Sequence, residues 1–277
     1  MKPINASFQV LGCGTSTGVP LPGCRCEVCL STNPRNKRSR CSGVLKFSSD
    51  RDLNGAPLNE SVERRILIDA STDLRSQALT FDLRRVDAVI FTHAHADHIL
   101  GVEDLRAFNF VQRQQIPCFA SLATNAELRR FYSYIFSPSP DYEGGGLAQL
   151  SLTDIVAGRS FSLFGVEILP FELFHGRMPV FGFRIGDFAY ATDCSRIPTE
   201  SVAHLQALQT LILDGLRYEA HPTHFTIPQA CEVAAGLKVK QTYLTHMTHT
   251  VNYLEVSPKL PNGIALAHDG LEFAVTI

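Results

Sequence analysis

Neither sign of charge dominates this 277-residue chain: 25 Lys and Arg stand against 27 Asp and Glu, a formal net charge of -2. A broad nucleic-acid footprint is therefore not expected, although a local basic patch remains compatible with that balance. No apolar run reaches the length needed to cross a bilayer, so no membrane role is expected. Residues 1–10 hold one lysine and no apolar core of signal-peptide length, which points to a cytoplasmic protein. Repeats of solenoid length and long low-complexity tracts are missing too. With 45% hydrophobic and 19% charged residues the chain can bury a sizeable core, which excludes disorder and coiled coil as descriptions of the whole.

What is abundant is metal-capable: eight Cys and ten His. Without an export signal, those Cys read as thiols or metal ligands rather than disulfides. Short β-type runs alternate with amphipathic stretches from end to end, the pattern of a layered α/β domain. Strands are predicted at 8–11, 44–47, 65–68, 88–91, 117–120, 166–170, 181–185, 188–191, 210–213, 242–245 and 271–277. Helices are predicted at 72–79, 102–110, 125–135, 200–208 and 227–236. Thr199 and Thr226 read as N-caps of the last two, and Gly236 as the glycine that closes the final one. Two polar stretches read as surface insertions: 48–63, with the turn signal Asn54-Gly55, and 137–146, with two prolines and three consecutive glycines. Neither separates two folded units, so one domain over 1–277 is expected.

The run Thr92-His93-Ala94-His95-Ala96-Asp97-His98 directly follows the apolar segment 88–91. Four ligand-type side chains within six residues cannot share one helical face. On a loop leaving a strand, they can converge on two adjacent ions. Imidazoles suit zinc, iron or manganese, and a carboxylate completes or bridges a hydrolytic pair. A second cluster, Cys24-Arg25-Cys26-Glu27-Val28-Cys29, packs three thiols into a loop spanning about 20–30. Thiolates favour a closed tetrahedral zinc site, with one ligand still to be supplied. A disulfide would be strained and leave one thiol over, and a reactive-thiol centre lacks a neighbouring base in sequence.

The HxHxDH run after a strand resembles the metallo-β-lactamase superfamily. The resemblance implies an αββα sandwich of two mixed sheets with outer helices, an α/β (α+β) fold. It also implies a dinuclear site in which His93, His95 and His175 hold one divalent ion and Asp97, His98 and His246 the other, with Asp193 bridging. Asp69, ending Ile66-Leu67-Ile68-Asp69, is either a carboxylate that orients a ligand imidazole or an ordinary turn aspartate. The CxCxxC loop, followed by Cys41-Ser42-Gly43-Val44-Leu45-Lys46-Phe47, is similar to the PhnP-type phosphodiesterases. That likeness supplies His249, three residues beyond His246, as fourth ligand of a structural zinc with Cys24, Cys26 and Cys29. It further implies that His224, or else His221, donates a proton to the leaving group, and that a metal-bridging hydroxide is the nucleophile.

The loop Gly12-Cys13-Gly14-Thr15-Ser16-Thr17-Gly18 lacks the lysine and the helix pattern of a nucleotide-phosphate loop, so it reads as a turn past the metal pocket. The function implied is a metal-dependent phosphodiesterase for a small (cyclic) phosphate ester, such as phosphoribosyl 1,2-cyclic phosphate or 2′,3′-cyclic nucleotides. Two divalent ions (Mn or Zn) and one structural Zn are its implied cofactors, Asp97 and His224 its catalytic side chains, and a homodimer is compatible with the superfamily. A tRNase Z-like endoribonuclease shares the ligand set, but neither insertion is a basic arm. A PqqB-like accessory protein with little catalysis would be marked by lost ligands, and here each position is filled.

Overall fold

Strand-forming segments pair in two groups. The computed structural model, which describes residues 5–139, 141 and 143–277, begins with β1 (Asn5–Gly12), β2 (Ser42–Arg51), β3 (Pro57–Ile68), β4 (Ala88–Ile90), β5 (Ile116–Ala120) and β6 (Leu150–Asp154). After these come β7 (Phe161–Leu163), β8 (Val166–His175), β9 (Met178–Ile185), β10 (Phe188–Ala191), β11 (Thr210–Asp214), β12 (Gln241–Thr245) and β13 (Ile264–Leu266). A last strand, β14 (Glu272–Thr276), returns to pair with β1. The two seven-stranded sheets run in the orders 14-1-2-3-4-5-6 and 13-12-11-10-9-8-7. Each is mixed. Pairing is antiparallel from β14 to β3 and parallel from β3 to β6. In the second sheet it is antiparallel from β7 to β10 and parallel from β10 to β13. This is the expected two-sheet sandwich with outer helices.

The period-2 alternation of side chains explains the layering. In β3, Ile66 and Ile68 face the core shared with the second sheet, while Leu67 faces the other way. In β4, Ala88 and Ile90 join the first core and Val89 the second. The second core is covered by Leu74, Leu105, Phe108 and Leu128 from the helices Leu74–Thr80, Leu105–Gln112 and Leu122–Phe131. The helix Ile227–Leu237 packs Ile227, Ala230 and Leu237 into the first core. At the closed side of the sandwich the Phe8 ring lies 4.5 Å from Phe188 and 5.7 Å from Phe273, tying β1, β10 and β14 together. Only glycine fits opposite it. A Cβ on Gly43 would stand 2.2 Å from Phe8 Cζ.

Some local expectations need correction. Residues 48–63 are no insertion: β2 and β3 continue through them as a hairpin turning at Gly55, φ +85°. Their polarity reflects a solvent-exposed ribbon, which sequence polarity alone cannot tell from a loop. The helix after Pro198 begins at Thr199 itself, and no side chain caps it. Thr226 does cap its helix, in a reciprocal capping box with Gln229. Gly236 lies inside that helix, and the left-handed residue that ends it is Lys238, φ 56°. The three short strands β6, β7 and β13 fall outside the predicted set. Of the 137–146 loop, residues 140 and 142 lie outside the described residues, as do residues 1–4 of the segment read for a leader.

Both sheets send the C-terminal ends of their parallel strands toward one edge. Crevices there are where open α/β sheets bind ligands, because the loops diverge and leave room.

Candidate metal centre

Six strand ends supply the site. Asp69 follows β3, residues 92–98 follow β4, His175 ends β8, Asp193 follows β10, Asp214 ends β11 and His246 follows β12. Asp69, Asp193 and His246 all adopt left-handed backbone, with φ of 61°, 55° and 60°. Such residues cost roughly 1–3 kcal/mol each and persist where the surroundings hold them. Here the turn swings the side chain out of the sheet plane and into the crevice.

Asp69 is wholly buried and organises the histidine loop. Its carboxylate accepts the Thr92 backbone N–H at 2.8 Å and the Thr92 hydroxyl at 2.9 Å, and takes His98 Nδ1–H at 2.7 Å. With Nδ1 committed, His98 presents Nε2 to the crevice, 3.2 Å from Asp193 Oδ2 and 3.4 Å from Asp97 Oδ2. His246 Nε2 lies 3.2 Å from Asp193 Oδ1 and 3.5 Å from Asp97 Oδ2. Asp97, His98, Asp193 and His246 thus form one buried ligand set. On the other side of Asp193, the rings of His93, His95 and His175 stand 4.6, 5.1 and 5.8 Å from one another. His93 Nδ1 bonds the Thr92 hydroxyl at 3.0 Å and His175 Nδ1 bonds the Thr223 carbonyl at 2.8 Å, so both direct Nε2 inward.

Whether these donors fit metal ions can be judged from what they lack. Among the described residues, the buried Nε2 atoms of His93, His98 and His246 have no hydrogen-bond partner. Orphaned buried polar atoms are costly and rare. An ion bound at about 2.0–2.1 Å sets neighbouring donors about 3.0–3.4 Å apart, close to the spacings seen around Asp193 and Asp97. Electrostatics agrees. Burial alone would push the His246 imidazole down, yet Asp193 and its neighbours Asp97 and Asp214 draw it up to about 9. Burial works against the Asp193 carboxylate too, but His246 and His98 hold it well below the usual range. The crevice favours positive charge at its centre.

His224 extends the constellation. It is buried, its ring lies 4.5 Å from His175 and stacks 4.6 Å from His246, and its Nδ1 donates to Asp214 Oδ2 at 2.6 Å. Asp214 Oδ2 also accepts the Cys194 backbone N–H at 2.8 Å. Sequence reasoning misses Asp214, although this residue carries the signal that flags Asp69: an aspartate closing an apolar strand. Thr92, which steers Asp69, His93 and His98, has no such signal. His221 sits at the rim, its ring 5.1 Å from His224, with Nδ1 near the Thr223 hydroxyl at 3.2 Å.

The second cluster closes across the chain. Cys24, Cys26, Cys29 and His249 bring their ligand atoms together, with Cys24 Sγ and Cys26 Sγ 3.5 and 3.4 Å from His249 Nδ1. Zinc bonds of about 2.3 Å to sulfur and 2.0–2.1 Å to nitrogen give a tetrahedral edge of about 3.5 Å. His249 and the Cys29 backbone N–H hold the Cys26 thiol down at about 6, whereas burial lifts Cys29 to about 11. The fully buried Arg38 braces the segment that joins both clusters, donating to the carbonyls of Thr248 at 3.1 Å and Val251 at 2.7 Å.

Residues 64–247 match the model of the beta-lactamase superfamily domain. A solved diphosphatase from the PhnP family superposes with a TM-score of 0.86 at 36% identity, covering 99% of this chain and 98% of that one. Zn(2+)-bound PqqB from Methylobacterium extorquens shares the fold, with a TM-score of 0.73 at 19% identity over 96% of this chain and 99% of its own. An octanoyltransferase of Porphyromonas gingivalis (strain ATCC BAA-308 / W83) is 34% identical over 268 residues, 95% of this chain but 50% of that protein. The chain therefore spans about half the length of the curated relative it matches.

Proposed function

We propose that this chain, which belongs to the metallo-β-lactamase superfamily among its PhnP-type members, is a metal-dependent hydrolase that cleaves a small phosphoric diester, cyclic esters of ribose phosphate and 2′,3′-cyclic nucleotides included. One observation carries this reading: Asp193 belongs to two clusters of ligand-type side chains, one with Asp97, His98 and His246 and one with His175 and the Asp214-paired His224, and the rings of His93 and His95 stand next to His175. In this reading His93, His95 and His175 would hold one divalent ion and Asp97, His98 and His246 the other, with Asp193 as the carboxylate available to both. Mn or Zn suits that donor set. When bound, such a pair supplies Lewis-acid charge for the phosphoryl oxygens and activates a water.

The remaining work falls to side chains. Asp69 and the Thr223 carbonyl fix ring orientation and tautomer for His98 and His175, as partners of ligand imidazoles do. Asp97 contributes its negative charge beside His98 and His246. His224, with Nδ1–H on Asp214, presents Nε2 to the crevice and hands a proton to the departing alkoxide. Its buried position favours it over His221 in that role. Cys24, Cys26, Cys29 and His249 would hold a structural zinc, which would tie the 20–30 loop to the segment carrying His246. We further propose one functional unit over 1–277, acting on a small-molecule ester rather than on nucleic acid, without a membrane partner and in the cytoplasm. Among the described residues, no helix is long and apolar enough to cross a membrane.

The PhnP-family neighbour is a diphosphatase. Diphosphates and diesters both lose a P–O bond to water, so the deciding experiment is a substrate panel on the metal-loaded protein. It contrasts ribosyl cyclic phosphates, 2′,3′-cyclic nucleotides, linear diesters, diphosphates and precursor tRNA. Turnover of the small diesters above the others is expected. Preference for diphosphates would reassign the substrate, and preference for tRNA would favour the endoribonuclease.

A further inference from the structure

The segment that leaves β10 touches several parts of the metal centre at once. Thr192 and Asp193 are both buried, and the Thr192 hydroxyl donates to Asp193 Oδ2 at 2.7 Å. Among the described residues, this is the hydrogen bond that the Asp193 carboxylate takes from outside the imidazoles around it. Oδ2 also stands 3.2 Å from His98 Nε2, whereas Oδ1 stands 3.2 Å from His246 Nε2 and 4.0 Å from His93 Nε2. The Cys194 carbonyl accepts the Phe225 N–H at 2.8 Å, beside His224. Ser195 then grips the backbone on both sides of His175. Its N–H donates to the Phe174 carbonyl at 2.8 Å and its hydroxyl to the same carbonyl at 3.2 Å. That hydroxyl oxygen accepts the Gly176 N–H at 3.1 Å.

We propose that Thr192 and Ser195 are positioning residues of the metal centre: Thr192 aims the Asp193 carboxylate, and Ser195 holds the strand end that carries His175. The inference rests on the dinuclear reading above. A carboxylate turns easily about its last torsion, so its buried oxygens need a fixed partner to face two ligand sets at once. Threonine suits that task, because its branched Cβ restricts the direction of the hydroxyl. The proton it donates occupies one lone pair of Oδ2. Oδ1, which faces His246 and His93 from the two sets, is thereby left as the more basic oxygen. His175 has a different need. It is the last residue of β8 and pairs with Met178 across the turn into β9, so the strand ladder stops beside it. Ser195 binds the residues before and after it, while the Thr223 carbonyl takes its Nδ1–H. Partners that orient ligands in this way carry much of a site's affinity for its ions.

Metal titration tests this without any turnover. The full chain is mildly chelated, so that zinc at the cysteine cluster stays as an internal control, and then titrated with Mn2+, Zn2+ or Co2+. Thr192→Val should weaken uptake of the active-site pair by about 10–100-fold and alter the visible absorption of bound Co2+. Thr192→Ser, which keeps the hydroxyl, should restore most of both. Ser195→Ala should weaken uptake in the same range, and Ser195→Thr should recover it. Circular dichroism and the zinc of the cysteine cluster should stay as in the wild type. Unchanged affinity and Co2+ spectrum in Thr192→Val or in Ser195→Ala would overturn the role of that residue. A loss that the hydroxyl-bearing variant does not recover, or that extends equally to the cysteine cluster, would make the effect one of packing and overturn it too. A wild type that takes up metal only at the cysteine cluster would instead refute the dinuclear centre itself, and this inference with it.

Discussion

Asp193 combines left-handed backbone, almost no exposure, and one oxygen toward each of His98 and His246. Replacing it by alanine removes the shared ligand and leaves the surrounding imidazoles to repel one another once charged. Asp193→Ala should therefore lower diester hydrolysis by about 10³-fold or more and reduce bound metal, with the circular dichroism of the fold retained. Activity within tenfold of wild type would remove Asp193 from the shared position. His224 calls for a different readout, because a proton donor matters only when the leaving group needs a proton. His224→Ala should slow alkyl esters by about 10²-fold or more and 4-nitrophenyl esters far less. Equal losses on both would assign His224 to binding instead.

Within elements, local chemistry and tertiary packing divide the work. The capping box at Thr226 and Gln229 is written in four residues, so sequence reading finds it. The close approach of β2 to β1 is not. Gly43 lies in an otherwise ordinary apolar run, and its need for a missing Cβ arises only because Phe8 crosses over it. Gly43→Ala should force the Phe8 ring off the Phe188 and Phe273 stack and lower stability by roughly 1–3 kcal/mol in denaturant unfolding. A neutral result would mean that β1 and β2 can separate without loss. The hairpin of β2 and β3 shows the opposite failure: its exposed residues alternate poorly, and sequence polarity reads them as an insertion.

Across the whole molecule, two clusters of ligand-type side chains draw on distant parts of one chain. Cys24 and His249 are 225 positions apart, and Asp69 and Asp193 meet His98 from different sheets. Because ligand sets of this kind form only when the chain is folded, bound metal adds to folding stability. Elemental analysis should find three metals per chain, one of them zinc that survives mild chelation. Cys26→Ser should release that zinc and lower the melting temperature. Two or fewer metals, or ready alkylation of Cys24, Cys26 and Cys29 in the native protein, would count against the tether.

Much of the site was legible in the chain itself, since His93, His95, Asp97 and His98 are neighbours whose chemistry needs no folding to be recognised. Strand ends supplied His175, Asp193 and His246 through family likeness, and Asp69 and Asp214 bear the same mark of an aspartate closing an apolar run. Sequence also placed most of the strands, because apolar runs are local, but it missed the short β6, β7 and β13 and read the exposed ends of β2 and β3 as an insertion. What only the tertiary structure decided is which of these groups meet. His224 rather than His221 reaches the buried crevice because Asp214 waits at the end of the neighbouring strand to take its Nδ1–H. A cavity of about 550 Å³ likewise exists only where residues 17–22 and the helix Leu74–Thr80 close on Arg40. Residue chemistry is carried by the order of the chain, but contacts over such separations depend on how two sheets stack, and stacking is a property of the whole core.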